Sequence, residues 1–142
     1  MKFPSETPFF RSKEISWLSF NARVLQEAAN PGVPIAERLK FLGIDSSNLD
    51  EFFEVRIAYN KHHVRKGNLR YGADGMMPQE ILNKSRLMVS QMVKEKYELL
   101  NQTLLPLLEA EGIEFLRRPN WTEEQKAWIA DYFDNYLLPV LT

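Results

Sequence analysis

The sequence predicts a mainly α-helical protein: an antiparallel bundle of about four helices, one of them long, followed by the first strand and helix of an α/β domain. Three observations support this fold class. Apolar residues recur at intervals of three and four along most of the chain, which is the period of a helix with one buried face. Glycine and proline fall between the periodic stretches, and residues typical of helix N-caps stand before several of them.

The first two helices are expected to be short neighbours. A helix over about residues 15–29 has its apolar side chains on one face and ends at the sequence Asn-Pro-Gly of residues 30–32. A second helix begins near Pro34, places Ile35 and Leu39 inward, and ends at Gly43. So short a connection favours an antiparallel pair.

A run of capping residues predicts the start of a third helix. Ser47 and Asp50 approximate a capping box, and acidic side chains in a first turn interact favourably with the helix dipole. The apolar stripe of this helix includes Phe53 and Ile57, and Gly67 is expected to follow its end.

The longest helix is expected to run from Pro78 to about residue 111, with a kink or an early end at Pro106. The apolar residues 113–116 predict a short strand, and Thr122 begins the capping box of a last helix. The predicted domains are residues 1–111, which are helical, and residues 112–142, which begin a second domain. Because a lone strand cannot satisfy its backbone groups, we expect the sequence to be a piece of a longer protein.

Composition restricts the classes of function. The 142 residues contain no cysteine, which excludes disulfide frameworks, zinc–thiolate sites and thiol nucleophiles. The formal net charge of −1 gives no global attraction to nucleic acid or to an anionic membrane. The sequence has no apolar run long enough for a membrane span and no signal-peptide pattern. We expect a cytoplasmic protein, with peripheral membrane association as an open alternative.

Few residues offer catalytic or metal-binding chemistry. Phosphate loops, dinucleotide fingerprints and serine elbows are all missing from the sequence, so no catalytic residue and no metal ligand is predicted. His62 and His63 are adjacent, and on a helix they point apart, which is poor geometry for one metal ion. Solvated residues at a helix end are the simplest interpretation, with a metal site or an anion contact as the alternatives.

Positive charge is concentrated in residues 55–73, which contain five basic and no acidic residues. Beyond Arg56, these are Lys61, Arg65, Lys66 and Arg70. A solvated helix face is the simplest interpretation, and guidance of a polyanion or binding of nucleic acid are the alternatives. Arg56 lies closer to the apolar stripe, where a guanidinium group commonly ties helices together.

Ser46, Ser47 and Asn48 precede the predicted start of the third helix. Free backbone N–H groups at an exposed helix start can bind the polar edge of a ligand. The side-chain amide of asparagine has both a donor and an acceptor, which suits the edge of a purine. Simple helix capping remains the alternative.

Four sequence blocks carry a resemblance to a known family. They are EISWLSFN at residues 14–21, RVLQEAA at residues 23–29, ERLKFLGI at residues 37–44 and SNLDEFF at residues 47–53. In this order they resemble the N-terminal domain of polyphosphate kinases of the phosphohistidine type. Residues 112–142 are similar to the start of the head domain of that family.

The resemblance implies reversible transfer of the terminal phosphate of ATP to inorganic polyphosphate through a phosphorylated histidine, with Mg²⁺. It also implies that the catalytic histidines and phosphate-binding arginines lie in later domains, so this chain alone is expected to be inactive and to hold no cofactor. The N-terminal domain of the family forms the adenine-side wall of the ATP site, and the matching position here is Asn48. The implied partners are ATP or ADP, polyphosphate, the remaining domains and further copies in a homo-oligomer, but not nucleic acid.

This resemblance gives the basic residues a candidate partner. Lys61, Arg65, Lys66 and Arg70 become candidates for steering polyphosphate by a salt-dependent attraction. The competing hypothesis is a non-catalytic helical interaction module that docks an acidic partner through residues 56–70.

Overall fold

Four continuous helices make up most of residues 11–67, 71–72 and 74–141, which are the residues that this computed structural model describes. The first is α1, Lys13–Ala29. The second joins α2, Ile35–Glu51, through a π-helical turn, Phe52–Ile57, to α3, Ala58–Arg65. The third joins α4, Pro78–Leu99, through the π turn Leu100–Leu104 to α5, Leu105–Ala110. The last joins α6, Glu123–Tyr132, through the π turn Phe133–Leu137 to α7, Leu138–Leu141.

The predicted mainly α-helical bundle is confirmed. The chain divides into two units, one up to Leu107 and one from Leu108. In the first unit, α1 packs against α2 and α4, and α3 packs against α4. One apolar cluster surrounds Phe52, whose ring stacks on Trp17 with a centroid distance of 5.1 Å. The other contains Leu25 and Leu104 among its buried members.

The predicted break between a second and a third helix is wrong, because one helix continues from Ile35 to Arg65 through the π turn. Its buried residues Arg38, Leu42, Asp45, Leu49 and Phe52 recur at alternating intervals of four and three, which is an unbroken helical face. Two members of that face are charged, so a search for apolar periodicity does not find it. Tertiary packing overrides the local signal of glycine at position 43 and of the serines that follow it.

Gly67 ends the second helix as predicted, with a left-handed φ of +67°.

Pro106 does not end the third helix, but the backbone hydrogen bonds next to it differ from those of a regular α-helix. Proline at position 106 has no N–H, and its ring collides with the carbonyl four residues earlier in a regular helix. Directly before it, the Leu105 N–H donates to the carbonyl of Leu100, five residues back, and the widened turn accommodates the ring.

The second unit is helical from residue 123 onward. Thr122 and Gln125 form the predicted capping box, in which each side chain accepts a hydrogen bond from the backbone N–H of the other. Residues 113–117 have no regular secondary structure, so the predicted strand at 113–116 is not formed in the described part of the chain. A strand requires a hydrogen-bonded neighbour, and the described residues provide none.

Candidate functional site

Asn48 lies in the middle of α2, not at a helix start. Its carbonyl accepts the helical hydrogen bond of the Phe52 N–H. The expectation of an exposed helix N-terminus at residues 46–48 is therefore wrong, because the backbone N–H groups there are engaged within a continuous helix. Ser46 also lies within this helix, and its hydroxyl donates to the carbonyl of Leu42 one turn earlier.

The Asn48 side chain is half-buried and belongs to a polar network between α1 and α2. Its Nδ2 donates to Oδ1 of Asn21 over 2.8 Å. Asn21 is fully buried, and its own Nδ2 donates to Asp45 Oδ1 over 2.7 Å. The Asn48 amide is thus held in one orientation, with its Oδ1 and its second N–H not engaged by the described residues.

An ion pair extends this network to α4. Lys96 Nζ lies 3.1 Å from Asp45 Oδ2, and it donates to Ser46 Oγ over the same distance. Burial raises the pKa of Asp45 above 3.8, its ordinary value, although the Lys96 ammonium acts in the opposite direction. A raised pKa in the folded state means that the contribution of Asp45 to stability is largest in acid and is lost as the pH rises through that pKa.

The sequence contained a signal for this network that hydrophobic periodicity missed. Asn21 stands three residues after Leu18 and four before Leu25, in the buried stripe of α1. Asp45 occupies the equivalent place in the stripe of α2. A polar residue at a core position of each of two neighbouring helices indicates a buried hydrogen bond between them.

The predicted basic residues lie at one end of the second helix. Lys61, Arg65 and Lys66 are exposed at the end of α3, whereas Arg70 lies outside the described residues. Arg56 differs from them as predicted. Its guanidinium carbon is 5.7 Å from the centroid of the Trp17 ring, so it joins the second helix to α1 by a cation–π contact.

His62 and His63 are also on α3, with ring centroids 6.1 Å apart and ring planes nearly perpendicular. The His63 ring packs edge-on against Tyr59 at a centroid distance of 4.4 Å. Among the described residues, no group of three or more histidines and carboxylates is placed to hold a metal ion. No described helix is both long enough and apolar enough to cross a membrane.

Comparison with known proteins places this bundle in a family. The model of the polyphosphate kinase N-terminal domain family matches residues 10–116. A polyphosphate kinase of Neisseria meningitidis serogroup B is 48% identical over 130 residues, which are 92% of this chain and 19% of that protein. A polyphosphate kinase of Pseudomonas aeruginosa is 42% identical over 137 residues, 96% of this chain and 20% of that protein. This chain therefore spans about a fifth of the length of these curated relatives.

A solved structure agrees with the sequence comparison. The crystal structure of polyphosphate kinase from Porphyromonas gingivalis superposes with a TM-score of 0.77 at 36% identity, covering 94% of this chain and 18% of that one. Family match, sequence identity and fold all agree over nearly the same residues. The chain belongs to the polyphosphate kinase N-terminal domain family.

Proposed function

We propose that this chain is the N-terminal module of a kinase that reversibly transfers the terminal phosphate of ATP to inorganic polyphosphate through a phosphohistidine. The observation that supports the proposal is the family match over residues 10–116, together with relatives that are polyphosphate kinases at 42–48% identity. These relatives favour an enzyme over the alternative of a non-catalytic interaction module. The module contributes nucleotide binding and assembly surface, and the phosphohistidine belongs to the remaining part of the protein.

The Mg²⁺ of the reaction is proposed to be held by the remaining part of the protein together with the substrate phosphates. Octahedral binding of this ion requires oxygen ligands, commonly one or two carboxylates together with substrate phosphates and waters. Asp45, the buried carboxylate of the network, already pairs with Lys96. Asp45 is therefore a poor candidate for a ligand of this ion.

Asn48 is the residue that we propose to contact adenine. Its Nδ2 is anchored on Asn21, which leaves one N–H and the side-chain oxygen for the edge of a base. An exocyclic amine donates to that oxygen, and a ring nitrogen accepts from that N–H. Because the Asn21–Asp45–Lys96 network holds the amide in place before the ligand arrives, little side-chain entropy is lost on binding.

Binding of ATP to this module alone is expected to be weak. Most of the affinity for a nucleoside triphosphate comes from charge-assisted contacts to its phosphates, which one amide cannot replace. Calorimetry on the 142-residue chain should give a dissociation constant for ATP above about 1 mM. Micromolar affinity would show that the phosphates are bound by residues of this chain.

The adenine contact is tested in the full-length enzyme. Asn48→Ala should raise KM for ATP by about fivefold or more with little change in kcat, since a contact to the base is equally strong in the ground and transition states. Asn101→Ala is the matched control, because it removes an exposed amide whose Nδ2 donates to the carbonyl of Tyr97, one turn earlier in the same helix. A fall in kcat at unchanged KM would contradict the role of Asn48.

The exposed cations of α3 are proposed to steer polyphosphate. Charge reversal at Lys61, Arg65 and Lys66 should raise KM for polyphosphate at low salt, and the effect should shrink as salt screens the attraction. Reversal of Lys40, Lys94 and Lys126, three exposed cations elsewhere in the chain, is the control matched in net charge. An unaltered KM at low salt would remove the steering role.

A further inference from the structure

A cavity in the first unit is lined by the π turn Phe52–Ile57, α3 and α4. Its volume is about 540 Å³, within the range of small-molecule sites. Neither Asn48 nor any of its network partners lines it.

The walls of this cavity are mainly apolar. Ile57 and Val89 are buried, Leu82 is half-buried, and Phe53 is 46% exposed. Phe53 and Ile57 come from the π turn, and turns of this kind frequently occur at functional sites because they redirect side chains. The cavity therefore offers an apolar surface for a ring or a short chain.

Ser85 stands in the wall with an unsatisfied hydroxyl. The residue is only 1% exposed, and its Oγ has no hydrogen-bond partner among the described residues. Buried hydroxyl groups are nearly always paired, because leaving one unpaired costs the full penalty of its desolvation. A polar atom of a ligand would satisfy this hydroxyl.

Two cations complete the cavity. Lys61 and Arg86 both line it, and no aspartate or glutamate does. Neither cation forms an ion pair with the described residues. Positive charge without a counter-charge at the edge of an apolar cavity is complementary to an anion that carries an apolar body.

We propose that this cavity binds an amphipathic organic anion, with its phosphate or carboxylate group on Lys61 and Arg86, its apolar body against Phe53 and Val89, and a polar atom on Ser85 Oγ. Inorganic phosphate lacks the apolar body, and a neutral aromatic alcohol lacks the charge. Each should bind less tightly than a molecule that has both features.

Titration of the 142-residue chain by ligand-observed NMR tests the site with 2-naphthyl phosphate as the probe. The chain should bind this probe at least about tenfold more tightly than inorganic phosphate or 2-naphthol, since both halves of the site contribute. The double variant Lys61→Ala/Arg86→Ala should weaken binding about tenfold. Arg65→Ala/Lys66→Ala removes two cations of the same region that do not line the cavity and should change binding less than about twofold.

Ser85→Ala separates a binding role from a structural one. The variant should be at least as stable as the parent chain, because it removes an unpaired buried hydroxyl, yet bind the probe about fivefold more weakly. Trp128→Ala controls for probe bound to exposed aromatic rings of the second unit and should leave the affinity unchanged. Affinity equal to that of inorganic phosphate, or affinity insensitive to the Ser85 and Lys61/Arg86 changes, would overturn the proposal.

Discussion

The two units of the chain contain similar apolar side chains but differ in how far these side chains are buried. Up to Leu107, the bundle buries Leu18, Phe52 and Leu104 completely and encloses a polar network. From residue 109 to 141, no residue is buried, although this stretch is rich in tryptophan, tyrosine, phenylalanine and leucine. Trp128, Tyr132 and Tyr136 stack on one another along the helix with large parts of their rings exposed.

This difference shows which forces form each helix. The second unit obtains its helix from a capping box and from contacts between residues one turn apart, which are local. The first unit relies on burial between distant parts of the sequence. Apolar residues in a helical period therefore predict a helix in both units, but they do not show whether its apolar face is covered within the same chain.

The largest effect is expected from removing an aromatic ring in the first unit. Phe52→Ala should lower the free energy of unfolding by about 3–5 kcal/mol, because it creates a cavity beside Trp17. Phe133 in the second unit is 43% exposed, so Phe133→Ala should change the free energy of unfolding by less than about 0.5 kcal/mol. Urea denaturation followed by circular dichroism measures both. Equal losses would show that the second unit has a core of its own.

The next effect concerns the buried ion pair. Lys96→Met should destabilise the first unit by about 3 kcal/mol, because it leaves the Asp45 carboxylate buried without its cation. Adding Asp45→Asn removes the charge, so the double variant should be more stable than Lys96→Met alone. Denaturation midpoints at neutral pH compare the variants. If the losses in stability of Lys96→Met and of Asp45→Asn alone simply added in the double variant, the two charges would not stabilise each other.

A smaller and local effect is expected in the second unit. Thr122→Ala removes the side-chain oxygen that accepts from the Gln125 N–H and should destabilise α6 by about 1 kcal/mol. Hydrogen exchange of the α6 amides measures this loss, while α1 should keep its protection. Thr122→Ser retains the cap and should behave as the parent. Loss of protection in both units together would contradict a purely local origin of this helix.

The smallest effect tests the continuity of the second helix. Gly43 lies within α2, and an added Cβ would meet nothing within 4 Å. Gly43→Ala should therefore stabilise the first unit by about 0.5–1 kcal/mol, as alanine does in an exposed helix interior. Gly67→Ala should instead destabilise it, because residue 67 has a φ of +67°. Thermal unfolding that ranked the two substitutions the other way would indicate a helix end at residue 43.

Several parts of the candidate site were beyond sequence reasoning for a physical reason. The sequence-based prediction of Asn48 rests on an exposed helix start and on the family resemblance, whereas its contact with Asn21, 27 residues away, depends on the packing of α1 against α2. Lys96 pairs with Asp45 across an even longer separation. Neither partner can be read from spacing along one helix. The unpaired hydroxyl of Ser85 is likewise a property of its surroundings, not of the sequence near it.

The sequence by itself determined the helical class, the N-cap of the last helix and the glycine that ends the second helix, because these depend on residues within one or two turns of each other. Only the tertiary structure decided that residues 35–65 form one helix, since the face that holds it together contains Arg38 and Asp45, whose burial requires partners on other helices. It likewise decided which apolar faces are covered. Local interactions can start and end a helix, but whether a polar group is buried or an apolar one exposed is settled by what packs against it.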